Sequence, residues 1–408
     1  MTGSATLHGM AWDHPRAIEP LTAVGKKWGT GGDATIEWEA RSLKAFEDQP
    51  LEELTGRYDL VLIDHPFVGT AAESGLIRAV DEWSEEGYLA NQRANSVGPS
   101  FESYTWKGRQ WALGIDAACQ VSAVREDLWD RDGLGEQPDT WSEVWELAQS
   151  LTGSDSRVAV ALKPNHAYCA FLSVTASIAG DDFWPVGQLL PEGPAIEALE
   201  FLRELGSHLH PASGDSDPIA ISDLMAETDE IIYCPLMFGY SNYAREGFST
   251  HRLHFGNAPA GPSGRRGSVL GGVGIAVSAQ SHHPELAADL ARLVASESVQ
   301  QTTYVEAGGQ PGHLKAWQSA KANEHVAGFF EDTIATMHDT FTRPRIPGHR
   351  RFQQEAGAII HSCIWSRELT PAKCFERLQI AVERNLQKRA AFPGHVLSRS
   401  PSLRQGGQ

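Results

Sequence analysis

The chain lacks any apolar run near the roughly 18 residues needed to cross a bilayer, so no transmembrane helix is expected. Basic residues are outnumbered: 34 Lys and Arg against 52 Asp and Glu leave a formal charge of −18. Nucleic acids and anionic membranes are bound through concentrated basic surface, so neither is an expected partner. Cysteine is scarce, and Cys119, Cys169, Cys234, Cys363 and Cys374 form no C-x-x-C pair and no zinc-ligand spacing. An odd, scattered set reads as reduced, buried thiols, which points to a reducing compartment. There is no G-x-S-x-G elbow and no Walker-type phosphate loop, and Gly272-Val273-Gly274 lacks the third glycine of a dinucleotide fingerprint. No cofactor is expected. The close pairs His251/His254 and His282/His283 lack a well-spaced third ligand, so no metal site is expected either. Met1-Thr2-Gly3-Ser4 runs into the first strand without a basic region, an apolar region or a cleavage site. As it stands, the sequence reads as cytoplasmic. If a signal peptide was removed, it reads as periplasmic.

What is present is enough chain, 408 residues with 41% hydrophobic, for a soluble protein of two domains. Three short polar clusters each close a β-like run. Trp12-Asp13-His14 follows Ala5–Ala11, Arg41-Ser42 follows Ala34–Ala40, and Asp64-His65-Pro66 follows Tyr58–Ile63. Stretches with helical spacing come next, and β-α repeats of this kind build a parallel sheet whose ligands bind beyond the strands' carboxyl ends. The clusters should therefore converge on one edge.

Further along, Ala72, Leu76, Ile77 and Val80 give Ala71–Trp83 a helical spacing. Thr140 and Glu143 predict a capping box ahead of the apolar face Trp141, Val144, Trp145 and Leu147. Pro191–Leu209 and Pro284–Tyr304 read as helices, and the chain reads as helical from the breaker Gly308–Gly312 to about Phe392. The Ser-, Arg- and Gly-rich residues 393–408 read as a disordered tail.

Four segments, in order, resemble the extracellular solute-binding protein family 1, the carbohydrate-type receptors of ABC importers. Tyr58-Asp59-Leu60-Val61-Leu62-Ile63-Asp64 continued by Gly75–Asp81 is similar to the family's "yDvv-d … Gll-pLde" stretch. Gln137-Pro138-Asp139-Thr140-Trp141 is similar to its "P-TWdEl" helix start, and Gly271–Ser278 to its "GG-g-aIs" strand. Ala287–Ser296, running through Gln300 to Gly308-Gly309-Gln310-Pro311, is similar to its later helix and "G--P" turn. The likeness covers roughly residues 5–390.

The resemblance implies an α/β, two-lobed periplasmic-binding-protein-like fold of type II with a ligand cleft between lobes that close by a hinge. The chain would cross near Gly114–Asp116, Asn257–Gly261 and Gly309–Gly312. The lobes would be 1–113 with 261–309, and 117–258 with 313–392. An ABC permease is the implied partner if the protein is exported, and a monomer is expected.

Candidate ligand contacts follow from side-chain chemistry. The aromatic faces of Trp12, Trp184, Tyr240 and Tyr243 suit sugar rings, and Asn242 suits hydroxyls. Asp13, Asp64 and Asp116 are hydroxyl acceptors or helix caps. Arg41 hints at an acidic ligand such as a sugar acid, or pairs internally with Asp13 or Asp64. His14 and His65 contact ligand or act as acid and base. The favoured reading is reversible binding of a sugar or sugar acid. Its rival is a cytoplasmic enzyme or ligand sensor, in which His65 and Asp64 would move protons.

Overall fold

Leu60, Val61, Leu62 and Ile63 are all buried, as a continuous apolar run must be when both faces of a strand are covered. This run is β3 (Leu60–Ile63) of the computed structural model, which describes residues 5–30, 34–42, 51–152, 157–180, 191–264 and 266–386. Trp184 and the 393–408 tail lie outside the described residues. β1 (Ala5–Trp12) pairs in parallel with β2 (Ala34–Arg41) on one side and with β3 on the other. The ends of all three strands therefore do meet at one sheet edge. β2 is the outer strand, and beyond the buried Ala34 its positions are half-buried or exposed; its Trp38 lies so close over Gly9 that a side chain there would clash.

A short hairpin, β4 (Thr105–Trp106) and β5 (Arg109–Gln110), precedes the longest strand, β6 (Leu113–Val124). β7 (Tyr233–Phe238), β8 (His254–Gly256) and β9 (Leu270–Val277) complete the main sheet, in the order β2-β1-β3-β9-β6-β7 with β8 also on β6. β6 belongs to both lobes. Leu113–Cys119 pairs with β9, whereas residues 120–124 pair with β7 and β8. The first lobe packs Leu7, Leu21, Leu62, Ile275 and Leu290 around its sheet. The second stacks the helices Pro164–Ala179, Glu192–Leu205, His349–Ile364 and Pro371–Asn385.

The lobes are joined where three passages of chain lie side by side. In β6 the register against β9 slips between Gly114 and Asp116, a bulge that re-aims the Asp116 side chain. Residues 309–312 run beside it, with Ala117 N donating to Gln310 O (3.2 Å) and Gly312 N to Ile115 O (3.2 Å). The third passage is β9, in which Leu270 and Gly271 pair with Cys119 and Ala118 while Gly274–Val277 pair with β3. Near residue 260, where the sequence also suggests a crossing, Ala260 N donates to Asp139 O (2.7 Å), and Ala258 and Ala260 are buried.

The helical expectations fare unevenly. The capping box is present: Glu143 N donates to Thr140 Oγ1 and Thr140 N to Glu143 Oε2. Glu192–Leu205 is a helix, as the spacing predicts. Ala71–Trp83 is not one helix, because Val68–Glu73 ends at Gly75, whose φ of +63° favours glycine. Pro284–Tyr304 breaks after Val294, and Gln300–Tyr304 is wound as a π-helix. There the buried Gln300 side chain donates to Ile115 O and accepts from Gly312 N, tying this helix to the crossings. The helical reading beyond Gly312 also fails at 339–348, where Pro344 and Pro347 interrupt it.

Gly272 has φ +104°, and a Cβ there would meet Asp116 O at 2.2 Å. Gly272→Ala should therefore destabilise the fold by about 2 kcal/mol or more in urea unfolding. An unchanged midpoint would contradict this close approach of β9 to β6.

Candidate ligand site in the interlobe cleft

Between the lobes lies a cleft of about 740 Å3, including space open to solvent at its mouth. Trp12, at the end of β1, and Asp64, at the end of β3, face it from the first lobe. Asn165, His166, Tyr240, Arg343 and Gln353 face it from the second. Gly271, Gly272 and Val273 of β9 form its floor beside Asp116.

Asp116 is held by Arg16, which stands in the first turn of the helix Pro15–Gly29. Arg16 Nε donates to Asp116 Oδ2 (2.8 Å), Nη2 to Oδ1 (2.5 Å) and Nη1 to Gly239 O on the second lobe (3.0 Å). Its guanidinium lies 4.7 Å from the Tyr240 ring centre. Burial opposes the charge of Arg16, but Asp116 outweighs it and raises the arginine's pKa; burial pushes the Asp116 carboxyl up against the pull of Arg16. The two-pronged contact keeps the pair ionic.

A second pair bridges the lobes. Arg343 Nη2 donates to both oxygens of Asp64 (3.2 and 2.9 Å), and Nη1 donates to Gln353 Oε1 (3.0 Å). Gln353 Nε2 continues the chain to Asn165 Oδ1 (2.5 Å). Burial would raise the Asp64 pKa, but the charge of Arg343, helped by His65, brings it down to about 2. Asp64 is thus ionised and committed.

The other expected residues divide clearly. Trp12, Asp64, Asp116 and Tyr240 line the cleft. Asp13 is exposed and is not the helix cap; that role falls to His14, whose Nδ1 accepts from Arg16 N (3.1 Å). His14 also packs edge-on against Tyr240, with ring centres 4.9 Å apart. Arg41 ends the outer strand β2 and is not among the residues lining the cleft. Partial burial, with Arg350 nearby, lowers its pKa to about 10. Of the two internal partners considered for Arg41, Asp64 is taken by Arg343. His65 is fully buried behind Asp64, with Nδ1 3.1 Å from Oδ1 but poorly aligned for a hydrogen bond. His65 therefore presents no surface to the cleft, which Asp64 lines without it. Asn242 donates to Gly308 O (3.2 Å) and Tyr243 to Asp223 Oδ1 (2.5 Å); both are buried behind the cleft and hold the lobes' framework.

Sequence reasoning missed Arg16, Asn165, His166, Arg343 and Gln353. A signal existed for Arg16, since a cation in a helix's first turn opposes the macrodipole and needs a compensating partner. Arg343 sits in the Pro-broken segment Thr342–Gly348, itself a readable interruption.

A profile of the bacterial extracellular solute-binding proteins matches residues 50–329, more than half of the chain. The chain belongs to this family. A probable ABC transporter-binding protein of Deinococcus radiodurans is 24% identical over 262 residues, which are 59% of this chain and 60% of that protein. The chain thus matches about three fifths of that relative's length. Among solved structures, a maltose-bound protein of T. maritima superposes with a TM-score of 0.80 at 17% identity, covering 94% of this chain and 100% of that one. A Thermotoga lettingae ABC transporter solute-binding protein bound with α-D-tagatose gives 0.80 at 18%, covering 94% and 100%. One from Agrobacterium radiobacter in complex with ribitol gives 0.77 at 18%, covering 94% and 99%. At these identities the likeness establishes the two-lobed fold.

Burial holds four histidines around the cleft neutral. It lowers His14, His65 and His166 to about 4 and His349 to about 3. The unfolded chain takes up these protons near pH 6.5, so stability is complete above that pH and is lost as pH falls towards 4. Each ring costs up to about 1.4 kcal/mol per pH unit within that window. The loss from Asp64 comes lower, between about pH 4 and 2. Melting at pH 5 should therefore lie about 5–10 °C below melting at pH 7.5. Equal melting temperatures at the two pH values would contradict the neutral burial of these rings.

Proposed function

We propose that this chain binds a sugar or polyol in the cleft between its lobes, as the solute-binding component of an ABC importer. The observation that carries the reading is one cleft lined both by aromatic rings, Trp12 and Tyr240, and by a polar rail. That rail runs from Asp64 through Arg343 and Gln353 to Asn165 and draws on both lobes. Aromatic faces suit the C–H faces of sugars, and fixed carboxylate, amide and guanidinium groups suit hydroxyls. The ribitol and α-D-tagatose of the similar structures are ligands of this chemistry. Family membership supports a place of action outside the cytoplasm, with a membrane permease as partner.

Among the described residues, the lobe division that fits the contacts is 5–113 with 273–308, and 120–270 with 313–386. The segment 339–348 reaches from the second lobe onto the first. Hydrogen bonds to ligand from both lobes would favour the closed form over the open one. Catalysis by Asp64 and His65 has no support, because one is locked in an ion pair and the other has no exposed surface.

A thermal-shift screen over neutral sugars and polyols is the direct test. A true ligand at about 100 times its dissociation constant should add about 2.7 kcal/mol of stability. Trp12→Leu should weaken that ligand about tenfold while the protein still melts cooperatively. A ligand bound equally well by Trp12→Leu would remove the aromatic lining from the site, and a screen with no hit would remove the carbohydrate reading.

A further inference from the structure

The charged groups among the described residues lining the cleft are Arg16, Asp64, Asp116 and Arg343, two of each sign. Each arginine already has an aspartate as its counter-charge, held through two contacts. Arg41, the cation that hinted at an acidic ligand, is not part of the lining. We propose that the cleft selects uncharged polyhydroxy ligands against the corresponding sugar acids, and that Asp64 is the residue that sets this preference. The proposal rests on the carbohydrate reading above and narrows its ligand class.

The two pairs are not equivalent. Arg16 spends Nε, Nη1 and Nη2 on protein acceptors, and its partner Asp116 has no exposed side-chain surface. No ligand can reach that carboxylate without opening the crossings. Asp64 keeps 20% of its side chain exposed, against 4% for Arg343. The Asp64–Arg343 pair is thus the one a ligand meets. A hydroxyl can donate to Asp64 and leave the pair intact. A carboxylate would have to displace Asp64 from Arg343, leaving one of two anions without a counter-charge in a largely buried place. Rejection by an unpaired charge is a specificity device in its own right. His14 and His166, neutral at pH 7.5, add no cation to offset it.

Titration calorimetry at pH 7.5 with matched pairs tests this: D-mannitol and D-mannonate, ribitol and D-ribonate, D-glucose and D-gluconate. For the best neutral member, the acid should bind at least about tenfold more weakly. Asp64→Asn leaves Arg343 uncompensated and should shift the acid-to-neutral ratio about tenfold towards the acid. Asp64→Asn with Arg343→Gln restores neutrality and should restore the preference. An acid bound by the unaltered protein as tightly as its neutral partner overturns the proposal, and so does an unmoved ratio in a folded Asp64→Asn protein. Should Asp64→Asn fail to fold, the unaltered protein and the double variant still decide. If neither neutral nor acidic members bind, and no other neutral sugar does, the carbohydrate reading falls and this inference with it.

Discussion

Charges buried between two lobes must be paired, and this requirement shapes the centre of the molecule. Arg16 and Asp116 are both buried where the chain crosses from one lobe to the other. Removing one partner of such a pair typically costs about 3–5 kcal/mol, because the other is left without a counter-charge. The bulge at Ile115 turns Asp116 towards Arg16, Gly272 lets β9 pass close to Asp116 O, and Gln310 locks the neighbouring passage onto Ala117. Arg16 also reaches Gly239 O, so the pair joins the crossings to the second lobe. The hinge and one end of the ligand site are thus one structure.

The Asp64–Arg343 bridge has a different character. Its aspartate is more exposed than Asp116, and its arginine comes from a strap, 339–348, that reaches from the second lobe onto the first. Backbone bonds between Phe341 and residues 268 and 270 anchor the strap at β9, and the carbonyl of Arg345 lies where a side chain on Gly69 would stand. A ligand between Trp12 and Asn165 would add further bonds in parallel with this bridge. On the proposed function, closure around a solute would be a shift between two packings of the same parts, weighted by contacts that only the closed form makes.

Much of this was legible in the chain itself. β1, β2 and β3 announce themselves by apolar runs ended with polar clusters, and their parallel pairing brings Trp12 and Asp64 to one edge as that pattern requires. Arg41 misleads because convergence on an edge does not specify position along it: β2 is the outermost strand, one strand further from the cleft. His65 misleads because adjacent residues in a tight turn face opposite ways, and only its neighbour meets the cleft. Arg343 was beyond reach for another reason. It lies 279 residues from Asp64, and no local pattern records a partner at that separation. Asn165 and His166 open a helix whose following residues are almost all buried, which masks them as core positions, and Gln353 lies on the buried face of an amphipathic helix.

The central claim is that one small solute is held by both lobes at once. A crystal structure of the complex with the neutral sugar or polyol that stabilises the protein most tests it directly. The account predicts that solute against Trp12 and Tyr240, with a hydroxyl on Asp64 and another on Asn165 or His166. A solute bound elsewhere, or touching only one lobe in a closed molecule, would contradict it.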